Sequence, residues 1–225
     1  MSIVEKLNQI KSSIPGHVRL IAVSKTHPQE MILEAYEAGQ RIFGENKVQE
    51  LCEKQKVLPP DIEWHYIGHL QRNKVKFIVP FVSLIHAVDS LRLLAKINQE
   101  AKKCNRIVRC LLQFHIAEEG TKFGMSFEEA KALLQSEEYK SMNNTQLCGV
   151  MGMATRTQNK KQISKEFAHL QSYFEKLKSD FFADDPNFTE ISSGMSSDYF
   201  SAIEKGSTLI RVGSKIFGER TYLHQ

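Results

Sequence analysis

Residues 188–214 open with Phe188-Thr189-Glu190-Ile191 and the turn Ser192-Ser193-Gly194-Met195-Ser196. The helical stretch Ser197–Lys205 follows, then Thr208-Leu209-Ile210-Arg211-Val212 and Gly213-Ser214. Each of the two short apolar runs breaks at once into a Gly/Ser turn that leads into a helix. Working back toward the N-terminus, similar runs recur at Val18–Val23, Arg41–Phe43, Ile62–Ile67, Val82–Val88, Ile107–Phe114 and Gln146–Met153. Short, β-branched and without alternation, such runs read as strands buried on both faces. Between them lie stretches of helical period at Gln29–Ala38, Leu91–Lys103, Phe127–Ser136 and Ile163–Leu177.

Strands alternating with helices imply a parallel α/β sheet. Periodicity alone does not say whether the sheet is open or closed. A count of eight strands, with Gly and Ser clustered after the last two, favours a (β/α)8 TIM barrel preceded by an extra N-terminal helix, Ser2–Ile14. With no Pro/Gly/Ser-rich linker and no shift in composition, residues 1–225 are expected to form one domain. Ala154–Lys161, polar and basic, reads as the most mobile loop.

At 225 residues and 41% hydrophobic composition, the chain is near the short end for such barrels, which start at roughly 200 residues. Thirty Lys and Arg against 26 Asp and Glu leave a net charge of +4, scattered along the chain, which argues against a nucleic-acid footprint. The N-terminus has no basic segment followed by an apolar one, and no stretch approaches a membrane span, so a cytoplasmic protein without a membrane partner is expected. Cys52, Cys104, Cys110 and Cys148 form no C-x-x-C pair and read as buried or idle thiols.

In this fold class reactive groups gather at the C-terminal ends of the strands. Leu20-Ile21-Ala22-Val23 runs into Ser24-Lys25-Thr26. A lysine closing an apolar strand is either a solvated end residue or, partly desolvated, an amine able to form a Schiff base. The turns at Ser192–Ser196 and Gly213-Ser214 stand where barrels often hold a phosphate, with hydroxyl donors at Ser192, Ser196 and Ser214. Ordinary turn and N-cap chemistry is the plainer reading. Arg211 needs an acceptor, which could be Asp89, Glu45 or a ligand's pyridine nitrogen. His65 and His69 are four apart but straddle a strand end, and no further ligand has matching spacing, so no metal is expected.

Five ordered blocks carry a resemblance: Ala22-Val23-Ser24-Lys25-Thr26; Phe43-Gly44-Glu45-Asn46; Trp64-His65-Tyr66-Ile67-Gly68 with Leu70-Gln71 and Asn73-Lys74; Ser192 through Asp198; and Arg211-Val212-Gly213-Ser214 with Ile216-Phe217-Gly218. In these the sequence closely resembles the pyridoxal phosphate homeostasis proteins, whose fold is like the N-terminal barrel of alanine racemase. The resemblance runs from about residue 18 to the end. It implies pyridoxal 5′-phosphate as cofactor, held by Lys25 as an internal aldimine. It also implies that Ser192, Gly194, Met195, Ser196, Gly213 and Ser214 cradle the phosphate, that Arg211 faces the pyridine nitrogen, and that Asn46 lines the pocket. Ser193 departs from the family, which carries a methionine there, and adds a donor.

The function implied is buffering the cofactor or delivering it to apo-enzymes, without catalytic residues and without turnover. The alternative is an amino-acid racemase. Racemisation needs an acid/base group on each face of the substrate, and in alanine racemase the second comes from a C-terminal domain. The 14 residues after Arg211 are expected to supply a last helix only, and without that dimerisation domain a monomer is expected. A Schiff-base aldolase on the same barrel would use Lys25 and the phosphate turns, but leaves the Trp64–Gly68 and Arg211 blocks without a role.

Overall fold

A computed structural model of the chain describes residues 1–118 and 123–219. Helix α1 (Ile3–Ser13) comes first. Ser2 caps it, and Glu5 answers with a bond back to the Ser2 amide, a reciprocal arrangement that satisfies donors of the first turn. Ile3, Leu7 and Ile10 turn one apolar stripe inward.

Eight strands follow: β1 (Arg19–Val23), β2 (Ile42–Glu45), β3 (Glu63–Tyr66), β4 (Leu84–Val88), β5 (Val108–Phe114), β6 (Thr145–Gly152), β7 (Glu190–Ser192) and β8 (Leu209–Val212). All neighbours pair in parallel and in chain order, and β8 returns to β1, so the sheet is a closed barrel. The closing register sets Arg19 against Leu209, Ile21 against Arg211 and Ala22 against Val212. The outer layer contains α2 (Gln29–Glu37), α3 (Val48–Val57), a 3-10 turn at Arg72–Lys74 running into α4 (Val75–Ile78), α5 (Leu91–Lys103), α6 (Phe127–Gln135) and α7 (Glu137–Lys140). It is completed by α8 (Lys160–Phe181), α9 (Tyr199–Glu204) and α10 (Ser214–Phe217). None of the described helices is long and apolar enough to cross a membrane.

Burial occurs in two layers. The larger apolar cluster lies between sheet and helices, and a smaller one of Ile21, Leu84, Ala87, Leu111, Cys148, Met151 and Leu209, all strand residues, fills the barrel interior. Cys110 and Cys148 are buried, and burial pushes both thiols above their ordinary range, as expected of inert packing residues.

The sequence reading differs from the structure in identifiable places. Helix α3 carries no clear apolar period; of its residues only Leu51 and the charged Lys54 are buried, so hydrophobic patterning had little to register. Strand β7 begins at Glu190, whereas Phe188 leaves the sheet to stack on Phe182 at 4.1 Å and Phe174 at 5.2 Å between ring centroids. Helix α8 starts three residues earlier than its apolar period because Asn159 Oδ1 accepts from the Lys161 and Gln162 amides.

Candidate functional site

A cavity of about 840 Å³ opens where the C-terminal ends of the strands meet. Lys25, Asn46, Met195, Ser196, Arg211, Gly213 and Ser214 all line it. These residues lie at or just beyond the ends of four strands, β1, β2, β7 and β8, and are gathered only by barrel closure.

The Lys25 turn is held from behind. Strand β1 ends at Val23, and Thr26 adopts φ 66, a left-handed conformation that costs a β-branched residue about 1–3 kcal/mol. Side chains of β2 and α3 hold it there. The Thr26 amide donates to Glu50 Oε1 at 2.6 Å, and Ser24 Oγ donates to Glu45 Oε1 at 2.6 Å. Lys54 Nζ donates to the Ser24 carbonyl at 2.8 Å and to Glu45 and Glu50, each at 2.7 Å. Glu45 is 0% and Lys54 5% exposed, so this is a buried ionic network. Burial pushes the Glu45 carboxyl above its ordinary range, while Lys54 and Ser24 hold it partway down. Lys25 itself is half-buried.

Asn46 is positioned by β3. The buried Tyr66 hydroxyl, its pKa pushed up to about 12 by burial, donates toward the carbonyls of Asn46 and His69, each at 3.1 Å. Gly68 lets the two loops touch: a Cβ there would stand 2.3 Å from the Asn46 carbonyl oxygen.

After β7, Met195 N donates to Asp198 Oδ1 at 2.6 Å, and Ser196 Oγ accepts from Gly213 N at 3.4 Å, which joins the two Gly/Ser turns. Among the described residues, the amides of Ser196, Ser197 and Ser214 have no protein acceptor. Unspent amides beside glycine, facing a cavity, are what an anion needs. Gly194 does not line the cavity. It adopts φ +88, a Cβ would sit 2.7 Å from Ala202 Cβ, and its carbonyl accepts from Arg211 N at 3.0 Å, so it shapes the turn from behind.

Ser192 does not line it either. The hydroxyl is 0% exposed and lies in the barrel interior, 2.5 Å from Arg211 Nη1 and 2.9 Å from His86 Nδ1. Ser192, read from the sequence as a phosphate donor, thus points into the lumen beside Arg211 and not into the mouth. Arg211 is 4% exposed and makes its other side-chain bond from Nη2 to the Gly152 carbonyl at 3.1 Å. Neither carboxylate considered for it from the sequence is its partner. Asp89 pairs with His69 at 3.3 Å, and Glu45 with Lys54. Burial lowers Arg211 to about 10, with Asp198 acting against that shift.

The histidines diverge. His65 is buried inside the barrel beside His86, while His69 lines the cavity, stacked on Phe123 at 4.1 Å between centroids. Burial, and then the charges of Arg19 and Arg109, lower His65 to about 3; burial, His65 and Arg211 hold His86 well below its ordinary value. Both imidazoles are therefore neutral. Sequence reasoning did not assign His69, Phe123, Gln113 or Arg156 to the cavity. The strand-end position of His69 was the available signal; Phe123 and Arg156 lie on long loops whose path the sequence does not give.

The alanine racemase N-terminal domain family matches residues 2–221. The chain is similar to the pyridoxal phosphate homeostasis protein of Aquifex aeolicus, 36% identical over 205 residues that cover 91% of this chain and 88% of that protein. It is also similar to the protein of the same name from Homo sapiens, 39% identical over 216 residues covering 91% and 77%. Among solved structures, PipY of Synechococcus elongatus with pyridoxal phosphate bound superposes with a TM-score of 0.88 at 36% identity, covering 96% of this chain and 100% of that one. Alanine racemase from Bartonella henselae, at 14% identity and a TM-score of 0.72 over 99% of this chain and 60% of that one, shares the fold.

The buried histidines predict a pH dependence of stability. Folded His65 stays neutral down to about pH 3, whereas in the unfolded chain it takes a proton near its ordinary 6.5. Between those values the unfolded state binds more protons, so stability falls as pH is lowered. By pH 5 His65 accounts for about 2 kcal/mol of that loss. His86 acts in the same direction, and Glu45, with its raised pKa, in the opposite one. In urea unfolding, His65→Gln is expected to lose about 2 kcal/mol less than the wild type between pH 7 and pH 5. An equal loss in both would mean that His65 carries a proton in the folded protein.

Proposed function

The chain belongs to the pyridoxal phosphate homeostasis proteins, within the alanine racemase N-terminal domain family, and on that premise we propose that the cavity at the barrel mouth binds pyridoxal 5′-phosphate and that the protein buffers or delivers it. In this reading Lys25 holds the cofactor covalently, and the recipients are pyridoxal-phosphate-dependent apo-enzymes. The carrier works as a monomer in the cytoplasm.

One observation carries the reading: Arg211, a buried guanidinium without an ion-pair partner among the described residues, lines the same cavity as a half-buried lysine and two turns with unspent amides. A buried cation with no carboxylate in contact is costly, and a ligand that brings an acceptor relieves it. The cavity falls within the roughly 300–1,000 Å³ of small-molecule sites. When bound, the cofactor supplies an aldehyde that condenses reversibly with amines. Lys25 provides the amine, and the clamp from Glu45, Glu50 and Lys54 fixes the turn that carries it. Ser196 and Ser214, with their unspent amides and their hydroxyls, take the phosphate, Gly213 joins their two turns through its bond to Ser196 Oγ, and Gly194 and Met195 shape the first turn. Asn46 closes one wall, and Arg211 donates toward the ring nitrogen. A guanidinium there keeps the nitrogen unprotonated and weakens the ring as an electron sink, which favours carriage over carbanion chemistry.

A racemase or related amino-acid enzyme is the second reading. The His69–Asp89 pair favours it, since a carboxylate beside a cavity-lining imidazole is an acid–base arrangement.

Three outcomes test the carrier reading. Borohydride reduction of the loaded protein is expected to fix the cofactor on the peptide containing Lys25, and Lys25→Ala is expected to fold and show no such adduct; an adduct on another lysine overturns the assignment. Ser196→Ala combined with Ser214→Ala is expected to weaken pyridoxal phosphate binding by about 1.5–3 kcal/mol per lost charge-assisted bond at most, and to leave binding of phosphate-free pyridoxal unchanged. Loss of both ligands together would place the phosphate elsewhere. Finally, the loaded protein in deuterated water with L- or D-alanine is expected to leave the α-proton in place while passing cofactor to an added apo-enzyme. Exchange at roughly 1 per second or faster would establish enzymatic turnover, and its loss in His69→Gln would assign it to that imidazole.

A further inference from the structure

We propose that Ser192, His86 and His65 form a one-directional hydrogen-bond relay inside the barrel that fixes the Arg211 guanidinium toward the ring-nitrogen side of the ligand, making them positioning residues although none of them lines the cavity. The proposal rests on the reading of the cavity given above.

The direction of the relay follows from which atoms can donate. A guanidinium has donors only, so at 2.5 Å from Arg211 Nη1 the Ser192 oxygen must accept. Its single proton is then available to His86 Nδ1, 2.9 Å away. That makes Nδ1 of His86 an acceptor and puts its proton on Nε2, which lies 3.0 Å from His65 Nδ1. His65 therefore accepts at Nδ1 and also carries its proton on Nε2. In the reverse direction Ser192 would accept from both sides, and its own proton would have no acceptor among the described residues, a penalty of the size of a buried orphan donor. Each member leaves its neighbour one choice of tautomer.

The rigidity of the relay comes from where it sits. Ser192 is on β7, His86 on β4 and His65 on β3, so the chain crosses the barrel from wall to wall and is fully enclosed. The second Arg211 bond, to the Gly152 carbonyl, ties the guanidinium to β6. Held at Nη1 and Nη2 by two different strands, the planar fork loses its freedom to rotate before any ligand arrives. Neutral imidazoles suit this role because a charged His86 would place a second cation beside Arg211.

Two measurements decide the proposal, and they fail separately from the cofactor reading. Long-range nitrogen–proton correlation spectra of the ligand-free wild type are expected to show His65 and His86 both as Nε2–H tautomers. A proton on His86 Nδ1 overturns the relay, whatever the cavity binds. In Ser192→Ala, affinity for pyridoxal 5′-phosphate is expected to fall about tenfold or more, while affinity for the 1-deaza analogue, which lacks the ring nitrogen, stays within about twofold of wild type. Equal weakening for both ligands overturns the positioning role, because it would mean that Ser192 only supports the fold. If the wild type binds neither ligand, the cavity reading fails and so does the positioning role; the tautomer spectra then test the bond directions alone.

Discussion

The pairing of β8 with β1 is the constraint on which the site depends. Four register pairs, from Arg19 with Leu209 to Ala22 with Val212, close the barrel and bring the two ends of the chain's strand series together. Lys25, two residues beyond β1, thereby comes to line one cavity with Gly213 and Ser214, which directly follow β8, across nearly 190 residues of sequence. The approach is close: a Cβ on Gly213 would stand 3.0 Å from the Val23 carbonyl oxygen. Loop-closure entropy for a connection this long is offset by the whole sheet and by no single contact, so the site exists only when the barrel is complete.

The strands were legible because parallel strands covered on both faces are written as short apolar runs, and all eight appear where such runs lie. What the sequence could not show was where polar residues replace apolar patterning. Helix α3 is held to the barrel by Lys54 reaching Glu45 and the Ser24 carbonyl, a buried charge pair that looks like two surface residues in a linear reading. Its amphipathic signal is correspondingly faint. Strand β7 reads longer than it is because Thr189 and Phe188 continue the apolar run, while the aromatic stack with Phe182 and Phe174 draws Phe188 outward.

Legibility of the candidate site divides along the pleat. Residues in loops after strands, such as Lys25, Asn46, Ser196 and Ser214, reach the cavity because any chain leaving a barrel strand must emerge there. Ser192 is still within β7, where successive side chains alternate between lumen and helix layer, and a shift of one residue decides which way a hydroxyl points. Gly194 illustrates a second limit. Its small size suggested an anion approaching its backbone, yet the crowding it relieves comes from Ala202 and Tyr199 on α9.

Buried charge is balanced unevenly across the barrel. Glu45 and Lys54 neutralise one another, and Glu190 answers Arg19 and Arg109 at the other end of the barrel. Arg211 differs: its neighbours at Nη1 and Nη2 are a hydroxyl and a carbonyl, both neutral. Of the two buried cations among the described residues, Lys54 touches two carboxylates, whereas Arg211 touches none and faces a cavity, so it carries an electrostatic deficit at the mouth that the Asp198 charge offsets only in part. Hydrogen bonds to neutral partners orient the guanidinium without cancelling its charge, so its attraction for an acceptor in the cavity is retained. Full neutralisation by a buried carboxylate would have made a more comfortable barrel and a weaker binding site. The same arrangement explains why the histidines behind it must stay neutral, since their protonation would add to the uncompensated charge and not relieve it.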